Sequence, residues 1–203
     1  MNARRILPAL FCWLAVCAAA PAKNIALIIT DNQNWFDLGC YGNKIIQTPH
    51  MDRLAAEGVR FRQSFATVAS CRAGRPDIST GVLTHRNGQY AHTPAEHNQQ
   101  LRDDVTTVFQ KLQARGYRNA LIGKTHIKPL EKYPLDFESK APSKDIFAMA
   151  KDAEAFIAQK DTRPFFLTFA FGDPHPNGTA GVAWGAQPDQ SPGYTPPVYD
   201  PAV

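Results

Sequence analysis

Four short polar clusters of this sequence carry side chains that could do chemistry. Taken singly, each has a structural explanation, because Asp and Asn, for example, also form turns and helix caps. Taken together, they supply a thiol, oxygen ligands, cations and imidazoles, and each follows a strand-like run or begins a helix-like run. The clusters are Asp31-Asn32, Cys71 to Arg75, Lys124 with His126, and Asp173 with His175.

Spacing and residue type suggest roles for two of these clusters. Arg75 lies four residues after Cys71, one turn along a helix, so both side chains can face the same cavity. A buried structural cysteine and a surface ion pair of Arg75 are the alternatives. Asp31 and Asn32 offer the carboxylate and amide oxygens that Ca²⁺ accepts. The sequence therefore predicts one divalent ion at Asp31 and Asn32, with a turn or a helix cap as the alternative.

The elements that must position these clusters alternate between strand and helix patterns. Such alternation predicts an α/β fold, a mainly parallel sheet flanked by helices, with function at the carboxyl ends of the strands. The first strand pattern is almost wholly apolar and predicts burial on both faces. The predicted strands cover residues 24–30, 59–68, 117–122 and 164–171, and the predicted helices cover residues 48–58, 71–81, 105–116 and 146–157. The apolar side of the last helix is predicted at Ile146, Phe147, Ala150, Ala153 and Ile157.

Composition indicates an ordinary globular domain. The 203 residues are 44% hydrophobic and 20% charged, which excludes a disordered or fibrous chain. The formal net charge of +4 is small, so the sequence gives nucleic-acid binding little support. The sequence has no internal repeat, glycine-rich phosphate loop or zinc-type Cys/His spacing.

Residues 1–22 have the pattern of a signal peptide, with Arg4 and Arg5 before an apolar run and a small-residue cleavage site at Ala20-Pro21-Ala22. The sequence thus predicts a secreted or periplasmic protein with no stable membrane span after signal removal, since a span needs about 20 apolar residues. An uncleaved anchor and a lipoprotein site at Cys17 are alternatives. The mature chain keeps Cys40 and Cys71, for which a disulfide is the structural alternative.

The segment around Cys71 resembles the signature of the sulfatase family. Residues 70–75, followed by Ser79-Thr80-Gly81 and residues 85–88, resemble the family pattern in which Cys-x-Pro/Ala-x-Arg marks a cysteine for conversion to formylglycine. Segments 27–32, 48–55, 123–126 and 171–175 resemble further family segments in the same order. Three departures from the family pattern are Asn32 in place of a second acidic residue, Gly74 in place of serine, and Pro76-Asp77 in place of small apolar residues.

The resemblance implies an alkaline-phosphatase-like fold and roles for individual residues. Cys71 would be converted by a formylglycine-generating enzyme, and the converted residue would join Asp31 and Asn32 as a ligand of Ca²⁺. Arg75 would hold the hydrated aldehyde, and Lys124 would bind a sulfate oxygen as a point charge. His126 or His175 would protonate the leaving group.

Within the family, residues 88–90, 123–137 and 163–175 resemble the heparan N-sulfatases. This resemblance implies a sulfated carbohydrate as substrate. Residues 23–203 would be the N-terminal part of a catalytic domain that is incomplete at its C-terminus, because the family's remaining metal ligands and a further basic residue lie downstream. The alternatives are an arylsulfatase, a phosphonate or phosphate monoester hydrolase of the same fold, and an inactive protein that binds sulfated glycans.

Overall fold

A sheet of four parallel strands runs through the part of the chain that the structure describes. The computed structural model describes residues 22–90 and 99–175, so the predicted signal peptide lies outside the described residues except for Ala22. The strands are β1 (Ile25–Asp31), β2 (Arg118–Gly123), β3 (Phe137–Glu138) and β4 (Phe165–Pro174). Their order across the sheet is β1-β4-β2-β3, and all the pairings are parallel. The predicted parallel sheet is confirmed.

Within the described residues, five α-helices and three 3₁₀ helices connect the strands. The 3₁₀ helices are Trp35–Asp37, Gly39–Tyr41 and Leu130–Lys132. The α-helices are α1 (Pro49–Glu57), α2 (Cys71–Thr80), α3 (Thr84–Asn87), α4 (Val108–Gln113) and α5 (Ile146–Ile157). None of the helices in the described ranges is long and apolar enough to cross a membrane.

Local sequence signals explain where the helices begin and end. Thr107 caps α4 by accepting a hydrogen bond from Gln110 N, and Gln110 Oε1 accepts a hydrogen bond from Thr107 N, which together form a capping box. Because of this cap, α4 begins at Val108, three residues later than the start that the apolar pattern predicts at Val105. Gly81, with φ of 68°, ends α2 in the left-handed conformation that glycine adopts easily, as predicted.

The core lies on both faces of β2. Leu121 belongs to a buried cluster with Phe109 of α4, whereas Ile122 belongs to a second cluster with Met149 and Phe156 of α5. Neighbouring residues of a strand point to opposite faces, so the two helices pack on opposite sides of the sheet. The result is a layered α/β arrangement with every described strand pointing its carboxyl end to one edge.

Two sequence predictions about exposed segments were wrong. Residues 59–68 form no strand: Val59, Phe61 and Phe65 are 83%, 70% and 88% exposed, and an alternating pattern makes a strand only where a neighbouring strand accepts its hydrogen bonds. β1 is not buried on both faces, since Ile28 is 58% exposed. Its place at the edge of the described sheet, paired with β4, explains that exposure.

The predicted apolar side of α5 was wrong in part. Met149 and Phe156 are fully buried, whereas Phe147 and Ile157 are about half exposed. Phe156 packs against Phe137, with ring centroids 5.7 Å apart, and against Phe165. The helix carries two overlapping apolar stripes, and these aromatic contacts select the one that faces the sheet.

Candidate active site

β1 delivers a buried carboxylate to the edge of the sheet. Asp31, its last residue, is 4% exposed, and its carboxylate forms an ion pair with Lys124 and a second with Arg75, at 3.9 Å. The pairing register of β1 and β4 shifts between Ile29 and Asp31. Asn32 follows in the left-handed region, with φ of 63°, and is exposed. The chain therefore turns away from the sheet immediately after Asp31.

Helix α2 brings Cys71 and Arg75 to this carboxylate. Cys71 is the first residue of the helix and Arg75 lies one turn later, so both side chains line the same cavity, as their spacing predicts. Arg75 is 7% exposed and donates a hydrogen bond to Lys124 O at 3.3 Å. Burial lowers the pKa of the Arg75 guanidinium, and the nearby Asp31 and Cys71 oppose that shift. Arg75 thus joins α2 to the segment after β2.

The segment after β2 places Lys124 and His126. Lys124 N donates to Ala170 O of β4 at 2.8 Å. Gly123 precedes it with φ of 94°, and a Cβ atom at this position would collide with the Ala170 carbonyl, so glycine is required. His126 has φ of 50°, which is uncommon for a residue with a side chain.

The environment of His126 keeps its imidazole neutral. Burial, followed by the positive charges of Lys124, Arg72 and Arg75, lowers its pKa from 6.5 to about 4, while Asp31 opposes the shift. A histidine with this pKa carries no extra proton at neutral pH. An anion bound beside it would raise the pKa and favour protonation.

The end of β4 carries Asp173 and His175, and sequence reasoning missed the residue that holds them. Lys144, which lies just before α5, donates to Asp173 Oδ1 at 2.7 Å and also to His175 O. Gly172 N donates to Ser143 O at 2.7 Å, so two adjacent residues fasten the strand end. No local motif marks Lys144, because its partners lie about thirty residues away in sequence.

One cavity of about 850 Å³ gathers most of the candidate residues. Lys124 reaches the group through its ion pair with Asp31, and its charge acts on His126. Two cations, Arg75 and Lys124, pair with the carboxylate of Asp31 at the cavity wall, so an anion bound there would meet two cationic donors. The candidates in the lining are Asp31, Asn32, Cys71, Arg75 and His175.

The cavity offers part of a metal site. Within the described residues, no group of three or more His, Cys, Asp or Glu side chains is placed to hold a metal ion. Asp31 and Asn32 are nevertheless oxygen donors of the type that Ca²⁺ prefers, and the carboxylate of Asp31 is buried at the cavity wall. The donor types fit Ca²⁺, although a bound ion would have to displace Lys124 from Asp31. Cys40 and Cys71 are separate thiols rather than a disulfide.

Comparison with known proteins decides the family. Residues 23–200 match the family named Sulfatase. The chain belongs to the sulfatase family. This sulfatase chain is 32% identical to human N-sulphoglucosamine sulphohydrolase over 95% of its own length and 41% of the length of that protein.

Solved structures agree with the family and the fold. A structure described as bound to its substrate D-glucosamine-2-N,6-O-disulfate aligns with a TM-score of 0.64 and 29% identity, over 76% of this chain and 35% of that one. The phosphonate monoester hydrolase of Agrobacterium radiobacter aligns with a TM-score of 0.58 and 19% identity, over 76% of this chain and 42% of that one, which shows the fold alone. The fold is alkaline-phosphatase-like, and the sulfatase chain spans less than half of the length of these relatives.

Proposed function

We propose that this chain is the nucleophile-bearing part of a secreted or periplasmic sulfatase that hydrolyses the N-sulfate of a glucosamine-containing glycan. The observation that carries the proposal is the meeting of Cys71, Arg75 and Asp31 around one cavity, with Lys124 paired to Asp31. The name of the human relative, N-sulphoglucosamine sulphohydrolase, supports the choice of the N-sulfate. The solved structure described with D-glucosamine-2-N,6-O-disulfate, which carries both an N- and a 6-O-sulfate, supports sulfated glucosamine as the substrate class.

The chemistry needs a nucleophile that an unmodified thiolate does not supply, because thiolate and sulfate are both anionic. Formylglycine formed from Cys71 would supply, as its hydrate, one hydroxyl to attack sulfur and a second whose proton loss expels sulfate and restores the aldehyde. Arg75 and Lys124 would hold the anionic oxygens in place by charge and hydrogen bonding. Asp31 and Asn32 would hold Ca²⁺, which polarises a sulfate oxygen when bound.

The leaving nitrogen of an N-sulfate needs a proton. His126, neutral with a pKa of about 4, becomes a proton donor only when an anion raises that pKa, as a bound sulfate would. His175 lines the cavity and is the second candidate. Both histidines are therefore candidates to protonate the leaving nitrogen. Replacing each one by alanine will show which of them does so.

Mass spectrometry of the Cys71 peptide tests the nucleophile. Co-expression with a formylglycine-generating enzyme is expected to give a peptide about 18 Da lighter than the thiol form, because an aldehyde replaces the thiol side chain. Arg75→Lys, which breaks the Cys-x-Ala-x-Arg tag but keeps the charge, is the matched control and should stay unconverted. A fully reduced thiol in the unsubstituted protein would contradict the proposed nucleophile.

A substrate panel tests the reaction. The converted full-length protein, with the downstream part of the catalytic domain, should release sulfate from glucosamine N-sulfate. His126→Ala or His175→Ala should slow this reaction far more than hydrolysis of an activated aryl sulfate, which hardly needs a proton. Turnover of aryl sulfates alone would contradict the N-sulfate assignment and indicate an arylsulfatase. Turnover of a phosphonate ester alone would indicate a phosphonate monoester hydrolase. Binding of sulfated glycan without turnover would favour an inactive binding protein.

Calcium binding is tested by thermal unfolding. Ca²⁺ is expected to raise the midpoint of the unsubstituted protein, because it binds only the folded state, and Asp31→Asn should abolish the rise. Asp52→Asn is a control at a partly buried carboxylate that binds Cys40 N and Thr48 Oγ1 instead. An equal calcium response in Asp31→Asn would remove Asp31 from the metal site.

A further inference from the structure

Helix α2 contains a proline that leaves one backbone carbonyl without its helical partner. Pro76 is the sixth residue of α2 and has no N–H, so the carbonyl of Arg72, four residues earlier, loses the hydrogen bond that the helix would give it. Arg72 directly follows Cys71. The carbonyl in question therefore belongs to the first turn of the helix that carries the nucleophile.

The side chain of Gln89 replaces that missing donor. Gln89 is 1% exposed, and its Nε2 donates to Arg72 O at 2.9 Å. The same Nε2 donates to His126 O at 3.3 Å. One buried amide thus joins the first turn of α2 to the backbone of a candidate proton donor that lies 37 residues further along the chain.

Gln89 is itself held by a second buried amide. Asn87, which is fully buried, accepts a hydrogen bond from Gln89 N at 2.8 Å and donates to Asp77 Oδ1 at 2.6 Å. The Asp77 carboxylate also accepts from Thr67 Oγ1. Gln89 thus binds the carbonyl that Pro76 cannot serve, and Asn87 binds the neighbouring Asp77.

The backbone that Gln89 binds is in an uncommon conformation. His126 has φ of 50°, and non-glycine residues keep such a conformation only where the surroundings hold it. Gln89 Oε1, in contrast, accepts no hydrogen bond within residues 22–90 and 99–175. Burying an amide with an unsatisfied acceptor costs stability. We therefore attribute the presence of Gln89 at this position to the two hydrogen bonds that it donates.

We propose that Gln89 is a positioning residue that fixes the backbone of His126 relative to Cys71, using the carbonyl that Pro76 leaves open. It acts through His126 and does not touch the substrate. The catalytic part of this statement rests on the proposed function, because it assumes that His126 serves the reaction. The geometric part concerns the backbone conformation of His126 and does not depend on the proposed function.

The test compares two buried amides that differ in what they hold. Gln89→Met keeps the side-chain volume and removes both donors. Asn119→Leu is the matched control, since Asn119 is also fully buried, bridges the carbonyls of Phe109 and Pro134, and leaves Oδ1 without a partner among the described residues. Pro76→Ala in the Gln89→Met background restores a backbone donor to Arg72 O and nothing to His126.

The first measurement is NMR of His126 in the unconverted chain. Its three-bond HN–Hα coupling and Cα shift report φ. They are expected to leave the left-handed values in Gln89→Met, to keep them in Asn119→Leu, and to stay displaced in Pro76→Ala/Gln89→Met even where stability is regained. Unchanged His126 signals in Gln89→Met, equal displacement in Asn119→Leu, or recovery with Pro76→Ala would each overturn the proposal.

The second measurement is turnover of glucosamine N-sulfate by the converted full-length protein, of which this chain is the nucleophile-bearing part. Gln89→Met should lower kcat on the order of 10- to 100-fold, as misplacement of a reacting group does, and should cause no further loss in a His126→Ala background. Fully additive losses would overturn the positioning role. If the unsubstituted full-length protein turns over no sulfate, the proposed function fails, while the His126 signals still decide whether Gln89 holds that backbone.

Discussion

At the scale of single residues, the site combines opposite charges that are withdrawn from water. Asp31 is 4% exposed and Lys124 is 12% exposed, and the two form an ion pair that Arg75 joins from α2. Removing one partner from such a pair leaves an uncompensated buried charge, which typically costs about 3–5 kcal/mol. The three residues are therefore interdependent, and a bound anion or cation would alter the balance among them.

The lowered pKa of His126 predicts a pH dependence of stability. In the unfolded chain this histidine takes up a proton as pH falls through 6.5, whereas in the folded chain burial and the charges of Lys124, Arg72 and Arg75 delay protonation to about pH 4. The unfolded state thus binds more protons between these values. The contribution of His126 to stability is complete above about pH 6.5 and is lost as pH falls toward about 4.

Urea unfolding across this pH range measures the effect. His126→Gln should flatten the acid-side loss relative to the unsubstituted chain, because it removes the group that takes up the proton. His85→Gln, at an exposed position of α3, should keep the original slope. Identical curves for His126→Gln and the unsubstituted chain would show that the imidazole is not held in its neutral form.

At the scale of elements, strand ends and helix starts meet at one edge of the sheet, where contacts between distant residues hold them in place. β4 is held at its carboxyl end by Lys144, and the segment after β2 is held by Arg75 and by Ala170. These contacts join α2, β2, β4 and the segment before α5 at one edge of the sheet. The positions of the candidate side chains therefore depend on elements that supply no reacting group.

Lys144→Met tests this dependence at β4. The Lys144–Asp173 pair is about a quarter exposed on each side, so its loss should cost no more than about 1 kcal/mol in unfolding free energy. Turnover by the converted protein should fall by clearly more than Lys151→Met causes, because Lys151 is an exposed lysine of α5. Equal turnover in the two variants would show that Lys144 does not position His175.

At the scale of the whole molecule, large apolar side chains remain exposed on one part of the chain. They concentrate in β1, in α1 and in the segment between β1 and α2, and monomeric soluble proteins rarely leave such areas uncovered. The chain spans 41% of the length of its human relative. The exposed side chains of this part are Ile25, Ile28, Trp35, Phe36, Ile45, Ile46, Met51, Leu54, Val59, Phe61 and Phe65.

The chain alone is therefore expected to bind the dye ANS and to self-associate. Ile28→Lys places a charge on the edge strand and should reduce both, since charges on a strand edge oppose pairing with another chain. Ile157→Lys, at a similarly exposed position of α5, controls for added charge and should change little. Sedimentation velocity measures association, and an equal effect of the two variants would show that β1 is not the associating surface.

The sequence by itself determined the features that depend on neighbouring residues. The end of the first strand pattern just before Asp31-Asn32 follows from an apolar run, and the shared face of Cys71 and Arg75 follows from helical spacing, both of which act over a few residues. The parallel sheet follows from the alternation of strands and helices. The resemblance around Cys71 then indicated the sulfatase family before any contact was known.

Only the tertiary structure decided the contacts between distant residues. Lys124 meets Asp31 across 93 residues and Gln89 meets His126 across 37, and such contacts depend on strand order and register rather than on local pattern. The face of α5, the absence of a strand at residues 59–68 and the contacts of Lys144 depend on such distant partners too. A local pattern states what a segment can form, and the available packing partners determine what it does form.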